Sequence, residues 1–196
     1  EYEADRDDSD EPSLSTMTEK AIGILLNDTH QQQQQGFFLM VESGRIDHAH
    51  HGGNAARALQ DTIEYSNAVQ AAIDKLDAAG ELDDTLIIVT ADHSHVFTMA
   101  GYPKRGNPIL GLVVGVGSEQ PSLAGDNKPY TTLGYANGPG AAASFDAGVR
   151  TDLSALDTKQ LDFQQQALIP SGSETHAGED VAVFARGPQA YLIQGA

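Results

Sequence analysis

Three short stretches of the chain carry side chains of the types that can hold divalent metals. The first runs Glu42-Ser43-Gly44-Arg45-Ile46-Asp47-His48-Ala49-His50-His51, directly after the apolar residues Phe37 to Val41. The second is Asp92-His93-Ser94-His95, directly after Leu86 to Val89. The third is Glu174-Thr175-His176, shortly before Val181 to Phe184. Carboxylates mixed with imidazoles suit zinc, and an all-oxygen set suits a harder ion. Metal pairs of this kind are a standard device for cleaving phosphate esters.

Spacing sorts the ligands. Asp47 and His51 are four residues apart, so on a helix both side chains point the same way and grip one ion. His50, at three residues, is a geometric substitute. Glu42 lies too far back for that turn and is free to serve a different ion. Asp92 and His93 are adjacent, so they share a metal only from the irregular backbone at a strand end. His95 reads as a supporting or substrate-facing group, and His48 as exposed. His176 is alone in sequence but is approached by the flexible Ser171-Gly172-Ser173. Together the clusters offer ligands for two tetrahedral zinc sites and one oxygen-rich magnesium site. The plain alternative at each is a polar loop with solvated histidines.

Other chemistry finds little support. Gly134 to Gly140 (GYANGPG) lacks the Lys-Ser/Thr ending of a phosphate loop and reads as a turn. Ser43 and Ser94 lie beside ligands without an evident activating partner. Cysteine is absent, which removes disulfides and thiolate sites and leaves the compartment open. The formal charge of −17 argues against a nucleic-acid partner, since phosphate backbones need a basic patch. An acidic surplus of this size fits a halotolerant, strongly hydrated surface. No apolar run approaches a membrane span, and no signal peptide opens the chain.

The elements that position these residues follow from pattern. The 196 residues suffice for one substantial domain with an insertion. Residues 1–12 are charged and read as an extended entry segment. Thr16 and Glu19 form a capping box for a helix over Thr16 to Leu26, with Met17, Ala21 and Leu25 on one face. The run Gln31 to Gln35 reads as a surface loop. Gly36 to Glu42 and Thr85 to Ala91 read as buried strands. Between them a helix is expected over Asn54 to Ala79, with Leu59, Ile63, Ile73 and Leu76 at helical spacing and Gly80 as its C-terminal cap. Strand, helix and strand make a βαβ unit with parallel strands, so Glu42 and Asp92 should meet at one sheet edge. From Gly101 to Gly172 the chain turns glycine- and proline-rich and reads as an inserted subdomain of loops and short strands. It returns to the core with a strand over Val181 to Ala185.

Three stretches resemble the alkaline phosphatase family, and its animal-type branch in particular. They are GFFLMVESGRIDHAHH, TLIIVTADHSHVFTMAGYPKRGNPILGL and ETHAGEDVAVFARGPQA. They are contiguous, in the expected order, and cover most of the chain apart from residues 118–172 and the Gln run.

The resemblance implies an α/β fold, a doubly wound, mostly parallel sheet flanked by helices. Residues 1–100 and 174–196 would belong to the catalytic core and 101–173 to an inserted crown subdomain. Asp47, His51 and His176 would bind one zinc, Asp92 and His93 a second, and Glu42 magnesium. His95 and His176 would be possible phosphate-facing groups, and Glu11 a possible ligand of an extra structural cation. The implied activity is hydrolysis of phosphate monoesters through a phosphoserine intermediate. The chain resembles the C-terminal half of the enzyme, so the nucleophilic serine, a shared aspartate and a phosphate-gripping arginine fall in a missing N-terminal half. That half is the expected partner, together with a second subunit in a homodimer, in a periplasmic or extracellular setting. Two other outcomes stay open: another metal-dependent hydrolase of the same superfamily, or an inactive metal-binding fragment.

Overall fold

The computed structural model describes residues 1–32 and 36–193, the side chains of 28–32 aside. The helices are α1 (Leu14–Gln32), α2 (Arg45–His51), α3 (Ala55–Ala79) and α4 (Gly140–Ser144). The strands are β1 (Ile87–Val89), β2 (Ser94–His95), β3 (Phe97–Met99), β4 (Leu133–Gly138), β5 (Phe145–Asp146), β6 (Val149–Arg150), β7 (Ala167–Pro170), β8 (His176–Ala177) and β9 (Phe184–Arg186). Short 3-10 turns occupy Glu3–Asp5 and Ala190–Leu192. The chain divides into two compact units. One holds Glu1–Gly44, Gln60–Asp92 and Asp180–Ala196, and the other Arg45–Leu59 and His93–Glu179.

In the first unit α1 begins two residues earlier than the capping box implies. Ser13, not Thr16, caps it: the Ser13 hydroxyl accepts the Thr16 N–H at 3.2 Å. The Ser15 N–H, an orphan donor of the first turn, is taken by the Glu64 carboxylate at 2.8 Å. The buried face of α1 is Thr18, Ile22 and Leu26 rather than Met17, Ala21 and Leu25. The two stripes are one residue, about 100°, apart, and both carry helical spacing. Ile22 and Leu26 pack on Leu76 and Leu82, with Leu39, Ala72, Ile73 and Ile87 partly buried against them.

The long helix α3 runs as expected and stops at Gly80, whose φ of +73° is left-handed. There the Glu81 N–H bonds the Leu76 carbonyl and the Gly80 N–H bonds Asp77, satisfying two terminal acceptors. Ile63 is 62% exposed and takes no part in the core.

The βαβ expectation fails in its pairing. Among the described residues Gly36 to Glu42 forms no paired strand, and β1 pairs antiparallel with β9, Ile88 opposite Ala185. Apolar content foretold burial of Leu39, but not a ladder partner. Only the β4–β7 pair is parallel, so the described strands are not a mostly parallel sheet. Leu39 and Ile87 face the helices, while Phe38 (89%), Met40 (75%), Ile88 and Phe184 are exposed. Of the Gln run, Gln31 and Gln32 close α1 and residues 33–35 lie outside the described residues.

In the second unit β3, β4 and β7 form a three-stranded sheet, β2 pairs with β8, and β5 with β6. Isolated bridges such as Leu112 to Thr131 join the loops between, as the glycine-rich composition implies. GYANGPG is not a turn. Its first part is β4, and Pro139 then opens α4. Tyr135, Ala141 and Ala167 make a small core with Phe97 against it.

The corner between α2 and α3 is tied down by residues 161–165. Asn54 caps α3 by accepting the Arg57 N–H at 2.9 Å, and its amide donates to the Leu161 carbonyl at 2.7 Å. The buried Gln165 accepts the Ala55 N–H on its side-chain oxygen and donates its own N–H to the Gly53 carbonyl.

Two outcomes test this packing. Leu76→Ala should cost about 2–5 kcal/mol by urea unfolding, whereas Ile63→Ala should stay within about 0.5 kcal/mol. Burial pushes the Glu64 carboxyl up, but its bonds from Ser15 and Asn67 outweigh this and hold it below the usual range. Its stabilisation is therefore present at neutral pH and lost as pH falls below about 4.5 through the depressed value. Glu64→Gln should destabilise the chain by about 1.5–3 kcal/mol at pH 7 and flatten the acid limb of a stability–pH curve.

Candidate metal centre

The helix α2 forms as the four-residue spacing requires, and it brings Asp47 and His51 onto one face. His51 Nε2 lies 3.3 Å from Asp47 Oδ1. The helix ends at Gly52-Gly53, where Gly53 adopts φ +66°. Strands β2 and β8 complete the centre by pairing His95 opposite His176. His176 Nε2 lies 3.2 Å from Asp47 Oδ1 and 3.1 Å from His51 Nε2. His95 Nε2 is 3.1 Å and His93 Nε2 3.9 Å from the same oxygen. His93 and His176 stack with ring centroids 3.5 Å apart.

Asp47, His51 and His176 thus form a triangle with sides of 3.1–3.3 Å. Bonds of about 2.0–2.1 Å at tetrahedral angles put neighbouring zinc ligands about 3.3 Å apart. Asp47 Oδ1 is buried and has no hydrogen-bond partner among the described residues, though imidazoles surround it. A buried carboxylate oxygen facing several nitrogen donors is the arrangement a cation satisfies, so the residues present fit a zinc ion. Burial pushes the Asp47 carboxyl up, but the charges of His51, His95 and His176 outweigh this and hold it below its ordinary range.

The remaining sequence-derived residues have contacts of their own. His50 turns away from Asp47. Its Nδ1 lies 2.8 Å from the Tyr135 hydroxyl, and its ring packs on Phe97. Burial, then the charge of His95, pushes its pKa down to about 4. His48 is exposed, with Arg45 3.2 Å from its Nδ1. Ser94 donates to Glu179 at 2.6 Å. Of the two phosphate-facing possibilities, the His176 side chain is 49% exposed and that of His95 only 8%. Glu42 and Asp92 belong to the first unit, where both are exposed.

The sequence reading places Glu174 in the third cluster without assigning it a task. Its carboxylate is fully buried, 2.7 Å from His95 Nδ1 and 2.8 Å from the Val96 N–H. Gly138 makes room for it: a Cβ there would lie 3.1 Å from that of Glu174, and its φ of +129° excludes most side chains.

A family model described as alkaline phosphatase matches residues 1–196. The tissue-nonspecific alkaline phosphatase of Gallus gallus is 48% identical over 99% of this chain, and that of Homo sapiens 44% over all of it. An alkaline phosphatase of Gadus morhua is 42% identical over 99%. The cold-active alkaline phosphatase structure from Shewanella sp. aligns at 22% identity with a TM-score of 0.49, covering 95% of this chain and 48% of that one. The chain spans about a third of the length of the curated relatives it matches, 34% for the Gallus gallus and Homo sapiens proteins. With a match along its whole length and a ligand cluster drawn from all three predicted stretches, the chain belongs to the alkaline phosphatase family.

Proposed function

We propose that the chain supplies the metal-holding part of an enzyme that hydrolyses phosphate monoesters. The observation that carries this is the Asp47–His51–His176 triangle, whose sides match the ligand spacing of a tetrahedral zinc ion. Family membership and the names of the relatives support this reaction. Asp47, His51 and His176 would hold one zinc. Asp92 and His93 would contribute to a second, and Glu42 to magnesium. Bound ions of this kind stabilise charge on phosphoryl oxygens and favour deprotonation of an attacking hydroxyl.

The chain's own groups have separate tasks. Asp47 supplies negative charge at the centre, and His51 fixes one edge of the site from the end of α2. His176, half exposed, is the ligand nearest to solvent and to an arriving ester. A dianionic ester approaching a chain of charge −17 needs bound cations to enter. The nucleophilic serine and the phosphate-gripping arginine are assigned to polypeptide beyond this chain, and residues 101–173 to the crown. The exposed apolar side chains Phe38, Met40, Ile88 and Phe184 support further polypeptide covering the first unit. A homodimer placed outside the cytoplasm, with a salt-tolerant acidic surface, completes the reading. No helix among the described residues is long and apolar enough to cross a membrane.

Two measurements test it. The chain should bind zinc, and Asp47→Ala or His51→Ala should weaken uptake at least about 100-fold in a chelator competition while circular dichroism stays the same. Combined with the polypeptide that completes the relatives' length, it should turn over a nitrophenyl monoester faster than a diester. His51→Ala should abolish that turnover; undiminished hydrolysis by a folded His51→Ala protein refutes the proposal.

A further inference from the structure

We propose that Glu174 is the positioning residue of the metal centre, holding His95 through its carboxylate and His51 through its main chain in the tautomer with the proton on Nδ1. This rests on the zinc reading above and adds a residue to it. The Glu174 carbonyl lies 2.6 Å from His51 Nδ1, and its N–H donates to the His51 carbonyl at 2.9 Å. A carbonyl oxygen only accepts, so His51 Nδ1 is the donor. On the side chain, Oε1 accepts the Val96 N–H, and Oε2 stands 2.7 Å from His95 Nδ1 as the acceptor of a second proton. With Nδ1 protonated, a neutral imidazole presents a bare lone pair on Nε2. Both Nε2 atoms lie beside Asp47 Oδ1, at 3.3 Å for His51 and 3.1 Å for His95.

The surroundings fix Glu174 firmly. Asn137 donates to the Thr175 hydroxyl at 2.9 Å and accepts the Thr175 N–H at 3.0 Å. The bare Cα of Gly138 leaves room for the Glu174 side chain. A second ion held by His51, His95 and Glu174 on the far side is disfavoured, because His51 Nδ1 is already engaged by the Glu174 carbonyl. Outer carboxylates that orient metal-binding imidazoles in this way raise ligand basicity and fix the ring.

Glu174→Gln separates the two arms. The Val96 N–H can only donate, so the new amide oxygen must face it and the amide NH2 must face His95 Nδ1. That forces the His95 proton onto Nε2, where it competes for the Asp47 oxygen. His51 is bonded to a main-chain carbonyl and keeps its tautomer, an internal control for correct folding. Nitrogen-15 imidazole spectra of the wild-type protein should show both protons on Nδ1. In Glu174→Gln only His95 should switch, and zinc affinity should fall roughly 10- to 100-fold by chelator competition. A wild-type His95 with its proton on Nε2, or on both nitrogens, overturns the proposal even if Glu174→Gln fails to fold. So does a variant whose tautomers and zinc affinity are unchanged. Wild-type protein with the expected tautomers that takes up no zinc overturns the zinc reading alone.

Discussion

One oxygen atom organises the second unit. Asp47 Oδ1 is approached by imidazole nitrogens from α2, β2 and β8 at 3.1–3.3 Å, with His93 at 3.9 Å, and none of these contacts makes a hydrogen bond to it. Nitrogen lone pairs and a carboxylate repel one another in a partly dry site, so such a cluster persists only with positive charge inside it. A divalent ion, as proposed above, would provide that charge without protonating the rings. Charged imidazoles act on Asp47 in the same sense, holding its carboxyl below its ordinary range despite burial.

The rest of the unit exists to bring those atoms together. The Asn54 cap and Gln165 lock the corner after α2, which sets where His51 points. Tyr135, on the strand leading into α4, engages His50 and keeps it away from Asp47. The β2–β8 ladder is only two residues long, yet it sets His95 opposite His176. A slip of one residue there would turn His95 to the other face.

How much of this was legible in the sequence depended on range. The Asp47–His51 pair was readable because a helix imposes its own period. Gly80 was readable because a left-handed cap is a local demand. The buried stripe of α1 was misplaced by one residue, since both stripes carry helical spacing and only the partner Leu76 decides between them. The strand over Gly36 to Glu42 failed for a related reason. Apolar residues announce burial, but a ladder needs a second backbone, and β1 takes β9 instead. Glu174 was visible as a member of the third cluster, but its task was not, because it acquires one only once strand pairing sets it beside His95 and Val96.

His51 and His176 are 125 residues apart, and an ion held by both ties that span into a loop. Closing such a span costs entropy that grows only as the logarithm of its length, while the ion's contribution grows with its own concentration. Each tenfold rise in free ion beyond the dissociation constant adds about 1.4 kcal/mol to the folded state. If the proposed ion binds, resistance to unfolding would become a gauge of how much metal the surroundings supply, and starvation for the ion would loosen the chain from within.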